Sequence, residues 1–337
     1  MNSMKRLKTA GLLCAALFLF VMSGTAQTKQ NVDDAYNIAV KAVKANDYAG
    51  AVTALEQVID LGTKVGKDAD SLRGNAQKFI PSYQLKLAIS TFSNAATSNA
   101  DKLASFEKAK ELADKYGDTN TITSLATIMP KVYTQMAATA FKANDLAGAL
   151  TNFDKLIALD PNNAGAYYNK AIVYKKQNAF DPMVQTLTKT IEVATKVNDT
   201  INLRKSKTFL ASEYMSLATA AYLKGDNKGT LTPLQESLKY NDKDPQAYYI
   251  LADTQNKLKD YDAALEAVTK GLQYENSAVA ELVARFYLQQ GVAYAAKGDK
   301  EKAVASFKQA SVGKYVPTAQ AYIKGLTAKP VAAPVKK

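Results

Sequence analysis

The residue types that most often carry chemistry are absent from this chain or poorly placed for it. There is no histidine, which removes the commonest general base, the serine-type triad and the usual zinc ligand. The only cysteine, Cys14, lies inside an apolar run near the start. Once that run is removed the chain has no thiol for a disulfide, a thiolate nucleophile or a cysteine metal site. The 16 glycines are scattered rather than gathered into a phosphate loop. Carboxylates remain, and a facing pair can hydrolyse glycosidic bonds. The closest pairs are Asp33-Asp34 and Asp242-x-Asp244. The first opens an expected helix and the second precedes one, where acids serve capping and the helix dipole. Glu107 and Glu111 are flanked by Lys108 and Lys110, as on a solvated helix face. Asn241–Asp244 is too short for a calcium loop and lacks its glutamate. No catalytic residue, metal or cofactor is assigned, and the chain reads as a non-enzyme.

Composition then bounds the scaffold. The 337 residues are 47% apolar, with Tyr 19, Trp 0 and Pro 9. Abundant Leu and Ala with little Pro favours helix, and alternating strand patterns are missing. Residues 1–26 read as a secretory signal peptide: Lys5, Arg6 and Lys8, an apolar stretch from Gly11 to Met22, then Gly24-Thr25-Ala26. The apolar stretch is shorter than the roughly 20 residues a membrane span needs, so no integral span is expected in the mature chain. Export without disulfides suits a bacterial periplasm, with an extracellular or outer-membrane-associated place as the alternative. The formal charge is +12, and nearly all of it is lysine. Arg6, Arg73, Arg204 and Arg285 are the only arginines, a poor signature for reading nucleic acid. An anionic envelope surface or an acidic partner remains compatible with that charge.

One phrase recurs along the chain: an aromatic, a small residue four on, a tight polar turn, then a second apolar helix. Residues 133–161 and 287–310 show it best. The first copy has Tyr133, Met136, Ala137 and Ala140, the turn Asn144-Asp145, then Ala149, Phe153 and Pro161. The second has Tyr287, Gly291 and Tyr294, the turn Gly298-Asp299, then Ala303, Phe307 and Ala310. Further copies run over 164–197 (Tyr167, Ala171, Tyr174, Leu187) and 245–278 (Tyr248, Leu251, Ala252, Ala264, Val268). Weaker ones lie at 32–65 (Ile38, Ala39, Ala51, Leu55) and 211–244 (Tyr214, Leu217, Ala218, Leu234). The poorest lies near 80–116, with Phe106 and Ala109 in register and a first helix expected around 82–96 from apolar spacing alone.

This pattern resembles the tetratricopeptide repeat family, whose unit of about 34 residues is a pair of antiparallel helices. The resemblance implies an all-α, right-handed superhelical solenoid of about seven antiparallel helix pairs over 27–316. A capping helix is expected over 317–326 and a disordered tail over 327–337. The polar links at 62–68, 113–119 and 194–200 lengthen the unit. The recurring Tyr133, Tyr167, Tyr214, Tyr248 and Tyr287 are expected in the core.

By the same resemblance, a different set should line the concave groove. It comprises Tyr36, Val40, Val43 and Lys44; Thr134, Phe141 and Lys142; Tyr168, Ile172, Lys175 and Lys176; Met215, Thr219 and Tyr222; and Tyr249, Asp253, Asn256 and Lys257. Aromatic and apolar residues mixed with lysine suit a protein or peptide partner carrying some negative charge. Some family members grip chaperone C-termini through a lysine–asparagine–arginine clamp. Here Asn37 and Asn169 lack the neighbours that clamp needs. The function expected is a non-catalytic interaction scaffold of the cell envelope. The alternative is a glycan or peptidoglycan binder that stacks sugars on Tyr36, Tyr168, Tyr222 and Tyr249.

Overall fold

A computed structural model describes residues 27–328; the export segment at 1–26 and positions 329–337 of the expected tail lie outside the described residues. Every regular element among them is helical. The chain divides into two compact units between Leu159 and Asp160. Unit 1 contains α1 (Lys29–Lys44), α2 (Tyr48–Val65), α3 (Asp70–Ser93), α4 (Asn99–Tyr116), α5 (Thr119–Lys142) and α6 (Leu146–Leu159). Unit 2 contains α7 (Ala164–Lys176), α8 (Phe180–Lys196), α9 (Thr200–Leu223), α10 (Asn227–Tyr240), α11 (Pro245–Lys257), α12 (Tyr261–Tyr274), α13 (Ala280–Ala296), α14 (Lys300–Ala310) and α15 (Val316–Thr327). Consecutive helices pack as hairpins, giving seven pairs, and α15 lies on α14.

One dipeptide makes most of the turns. Its first residue adopts the left-handed conformation and its second caps the next helix. Asn46-Asp47, Gly117-Asp118, Asn144-Asp145, Asn198-Asp199, Gly225-Asp226, Lys259-Asp260 and Gly298-Asp299 all do this, with φ between 57° and 83° at the first position. The Asp amide closes the preceding helix: Asp47 N donates to Ala42 O at 2.9 Å, and Asp199 N to Ala194 O at 2.8 Å. Its carboxylate then accepts the amide three residues on, as Asp226 does from Gly229 at 2.8 Å. Ending one helix and starting the next within two residues forces an antiparallel pair.

Small residues let the paired helices close. Ala171, Ala218, Ala252, Ala264 and Ala303 are fully buried. A Cβ on Gly271 would meet the Phe286 ring at 2.1 Å, and one on Gly291 would meet Phe307 at 2.6 Å. The large side chains Phe106, Phe286, Phe307, Ile80, Met183, Leu187, Leu210 and Leu234 are buried between helices. Phe307 also stacks on Tyr322 of α15 at 4.6 Å, which ties that helix to the last pair.

Several expectations need correction. The first helix of the second pair is α3, starting at Asp70 rather than near residue 82. The extra length of the unit lies less in its polar links than in its first helices. α3, α5 and α9 have 24 residues each, against 13 in α7 and α11. Ile38 and Leu217 are 50% and 43% exposed, because the buried stripes run through Val32, Ala35 and Ala39 in α1 and through Leu210, Ala211 and Ala218 in α9. Of the recurring tyrosines only Tyr248 is buried; Tyr133, Tyr167, Tyr214 and Tyr287 are half-buried, which leaves a route for the hydroxyl to water or a polar partner. Asp33 and Asp34 do not cap a helix. They sit in the second turn of α1, bonded to Lys29 at 2.9 Å and Gln30 at 2.9 Å.

The crossing geometry gives a direct prediction. Gly291→Ala should lower the stability of the chain by about 1–3 kcal/mol through overpacking against Phe307. Gly74→Ala, in a helix with open space around it, should raise stability by roughly 0.5–1 kcal/mol. Thermal melts followed by circular dichroism compare the two; the account requires opposite signs.

Candidate functional site

The first helices of successive pairs lie side by side, α7 beside α9, α9 beside α11, and α11 beside α13. Three open clefts border α9. One of about 770 Å³ is lined by Ser212, Met215, Ser216, Thr219 and Leu223 with Tyr240 and Asn241. A second of about 650 Å³ is lined by Tyr168, Arg204, Lys205, Thr208, Phe209 and Glu213. A third of about 200 Å³ is lined by Lys175, Phe180, Met183, Glu213 and Leu217. Leu223 is 78% exposed.

Four of the expected groove residues, Tyr222, Tyr249, Asp253 and Lys257, come together at one place. The Tyr222 hydroxyl on α9 donates to Asp253 Oδ2 on α11 at 2.7 Å. The same carboxylate pairs with Lys257 Nζ at 2.6 Å, and that ammonium sits 4.6 Å from the Tyr222 ring centre. Burial, and then the Asp253 carboxylate, push the Tyr222 phenol well above the ordinary tyrosine range. Burial also raises Tyr249, helped by the charge of Asp253. Asn256 is buried and donates to Gln289 O and Oε1 at 3.0 and 2.9 Å, while its own carbonyl oxygen has no partner.

Beneath this cluster lies an ion pair not foreseen from the sequence. Arg285 on α13 and Glu275, before it in the α12–α13 connection, meet at 3.0 Å, with side chains only 8% and 4% exposed. The guanidinium also donates to Gln246 Oε1 and to Leu282 O. It lies 4.8 Å from the Tyr249 ring centre and 5.1 Å from that of Phe286. The guanidinium thus lies against the ring of Tyr249, which stands one turn of α11 before Asp253. Its one sequence signal was being among so few arginines in a lysine-rich chain; Arg resists desolvation better than Lys and suits such a site.

The other expected groove residues are dispersed. Tyr168 is half-buried, edge-on to Phe209 at 6.3 Å with Lys205 over its ring at 5.7 Å. Ile172 and Met215 are half-buried, and so is Thr219. Lys175 pairs with Glu213 across α7 and α9, and Lys176 is exposed. In unit 1, Tyr36 and Val43 are half-buried while Val40 and Lys44 are exposed on α1. Thr134 is exposed, with its hydroxyl donating to Pro130 O at 2.8 Å; Phe141 is half-buried and Lys142 exposed at the end of α5. Among the described residues no helix is long and apolar enough to cross a membrane.

Family models match three stretches of these helices. One described as "TPR repeat" matches residues 140–178. Another, "Tetratricopeptide repeat", matches 245–277 and 284–311. These three stretches carry tetratricopeptide repeats. No curated protein matches it. Among solved structures, MamA is 21% identical, covering 58% of this chain and 96% of that one with a TM-score of 0.31. YrrB, described as a TPR protein with an unusual peptide-binding site, is 22% identical over 58% of this chain and 90% of that one, TM-score 0.30. A tetratricopeptide repeat protein from Parabacteroides merdae is 17% identical over 89% of this chain and 100% of that one, TM-score 0.29. At these similarities no binding residue is carried across from them.

Removing one partner of the buried pair should be costly. Arg285→Ala strands the Glu275 charge and should cost about 3–5 kcal/mol. The double change Arg285→Met with Glu275→Gln should cost much less. Urea unfolding monitored by tyrosine fluorescence of the three proteins checks the order.

Proposed function

We propose that this tetratricopeptide repeat protein is a non-catalytic scaffold that holds an extended segment of a partner protein along α7, α9 and α11 of unit 2. Repeats of this kind mark a protein–protein interaction scaffold, and that level rests on the family matches. The placement rests on the line of open clefts beside α9, which mixes exposed leucine with serine and threonine hydroxyls. Such a surface offers apolar area and hydrogen bonds together, as peptide recognition needs. Arg204 and Lys205 at one cleft favour a segment with negative charge at that end. An envelope or periplasmic setting is part of the proposal and follows from the leader-like sequence at 1–26.

Sugar stacking has less support. Tyr36, Tyr168, Tyr222 and Tyr249 are all half-buried. The rings of Tyr168, Tyr222 and Tyr249 already face Lys205, Lys257 and Arg285. A sugar would have to displace those cations.

A photo-crosslinking side chain at Ser216, exposed beside two of the clefts, tests the placement in intact cells. The expected outcome is one discrete adduct that weakens with Arg204→Glu and is missing from a control at Thr269, exposed on α12. Equal adducts from both positions would contradict it, as would a turnover activity lost with Asp253→Asn.

A further inference from the structure

The polar links at 62–68, 113–119 and 194–200 each open one of the long first helices, α3, α5 and α9. The third link differs from the other two in charge and in exposure. Residues 62–75 hold Lys64, Lys67 and Arg73 against Asp68 and Asp70, and Arg73 pairs with Asp70 at 2.7 Å. Residues 113–126 hold Lys115 against Asp114 and Asp118. Residues 194–207, at the α8–α9 turn, hold Lys196, Arg204, Lys205 and Lys207 against Asp199 alone. All four cations are exposed, and none makes an ion pair among the described residues. The Asp199 carboxylate is committed to Asn202, accepting its amide at 3.0 Å and its side-chain nitrogen at 2.6 Å. The same turn carries two exposed branched side chains, Val197 at 42% and Ile201 at 58%. The α4–α5 turn exposes Ile122 at 37%, and over 62–75 no large apolar side chain is as open. The α8–α9 turn also stands clear of the next pair. Tyr222 of α9 meets Asp253 of α11, 31 residues on, so the start of α11 at Pro245 is level with Tyr214. Residues 200–213 of α9 project roughly 20 Å past that point. The turn is held in shape by Asn198 at a φ of 58°, by Asp199 N on Ala194 O at 2.8 Å, and by Lys196 Nζ on Asn162 Oδ1 at 3.2 Å.

A projecting turn encloses nothing, so its apolar side chains must enter the partner rather than receive it. We propose that the α8–α9 turn docks on an anionic lipid surface. Val197 and Ile201 enter the boundary between headgroups and acyl chains, and the four cations meet lipid phosphates and acidic headgroups. An acidic protein could answer the cations, but it would bury the two apolar side chains only through a matching hollow. A lipid layer buries any projecting tip. This inference goes beyond the scaffold reading and does not depend on it. Arg204 and Lys205 also line the cleft given to the partner segment, whereas Lys196, Val197, Ile201 and Lys207 do not. Variants at the latter four therefore let each reading fail alone.

The test uses the mature chain expected from residue 27 onward, since the apolar stretch at 11–22 would bind vesicles by itself. Co-sedimentation is measured with vesicles of phosphatidylglycerol and phosphatidylcholine in equal parts. Binding is expected there and not on pure phosphatidylcholine, and it should fall with added salt. Val197→Ser/Ile201→Ser and Lys196→Glu/Lys207→Glu should each weaken it at least tenfold. The control Lys115→Glu/Ile122→Ser at the α4–α5 turn should leave it unchanged. The chain has no tryptophan, so Ile201→Trp reports from the turn alone. Its emission should shift to the blue on the mixed vesicles, and that of Ile122→Trp should not. Circular dichroism of each variant separates loss of binding from loss of fold. The proposal is overturned if the parent chain binds neither vesicle, or if folded Val197→Ser/Ile201→Ser binds the mixed vesicles as well as the parent does. It is also overturned if Ile201→Trp emission stays unshifted on vesicles that carry the protein, or if polyglutamate binds this turn while the vesicles do not.

Discussion

Two helices can cross closely only where one of them lacks a side chain that would hold them apart. In this protein that constraint is met by alanine or glycine in each pair, and everything else follows from it. Gly291 admits the Phe307 ring and Gly271 the Phe286 ring, at distances no Cβ would permit. The close crossing leaves gaps between successive pairs, and those gaps take the large side chains. Phe286 is the clearest case: it leaves its own pair to pack on α12, so the small residue of one pair and the aromatic of the next are a single interaction. The turn dipeptide adds direction, since a left-handed residue followed by a capping aspartate reverses the chain within two positions.

Such a construction separates the residues that close the helix crossings from those left at the surface. The residues that close the crossings face inward along the pair, while the first helices also carry exposed side chains such as Ser216 and Leu223. In unit 2 that face is stiffened from beneath. Arg285 and Glu275 form a desolvated pair under Tyr249, and Tyr222, Asp253 and Lys257 link α9 to α11 above it. A face held this way would present a fixed surface to the proposed partner segment and so lower the ordering cost on the protein side.

The sequence was most legible where the repeat has its usual length. In α13 and α14, Gly291, Ala303, Phe307 and Ala310 stand where their spacing put them, all buried. Legibility failed where a long first helix shifts the buried stripe. α9 buries Ser206 beside Leu210 and Ala218, and a polar residue in the stripe hides it from an apolar pattern, so Leu217 looked internal. α3 was hidden in another way: Pro81 interrupts its pattern, and Gln84 is buried by bonding to Ser105 across the pair. For the candidate site, register on one helix found Asp253 and Lys257 because they lie one turn apart. It could not find Glu275 and Gln246, which reach Arg285 from a loop and from another helix. Contacts of that kind depend on how pairs stack, which no local spacing records.

The proposed partner segment contacts the first helices of unit 2 and leaves the second helices untouched. Hydrogen exchange of the chain, with and without the partner trapped at Ser216, tests it most directly. Slowed exchange is expected on α7, α9 and α11, with α8, α10 and α12 unchanged. Protection confined to α8, α10 and α12 would contradict it.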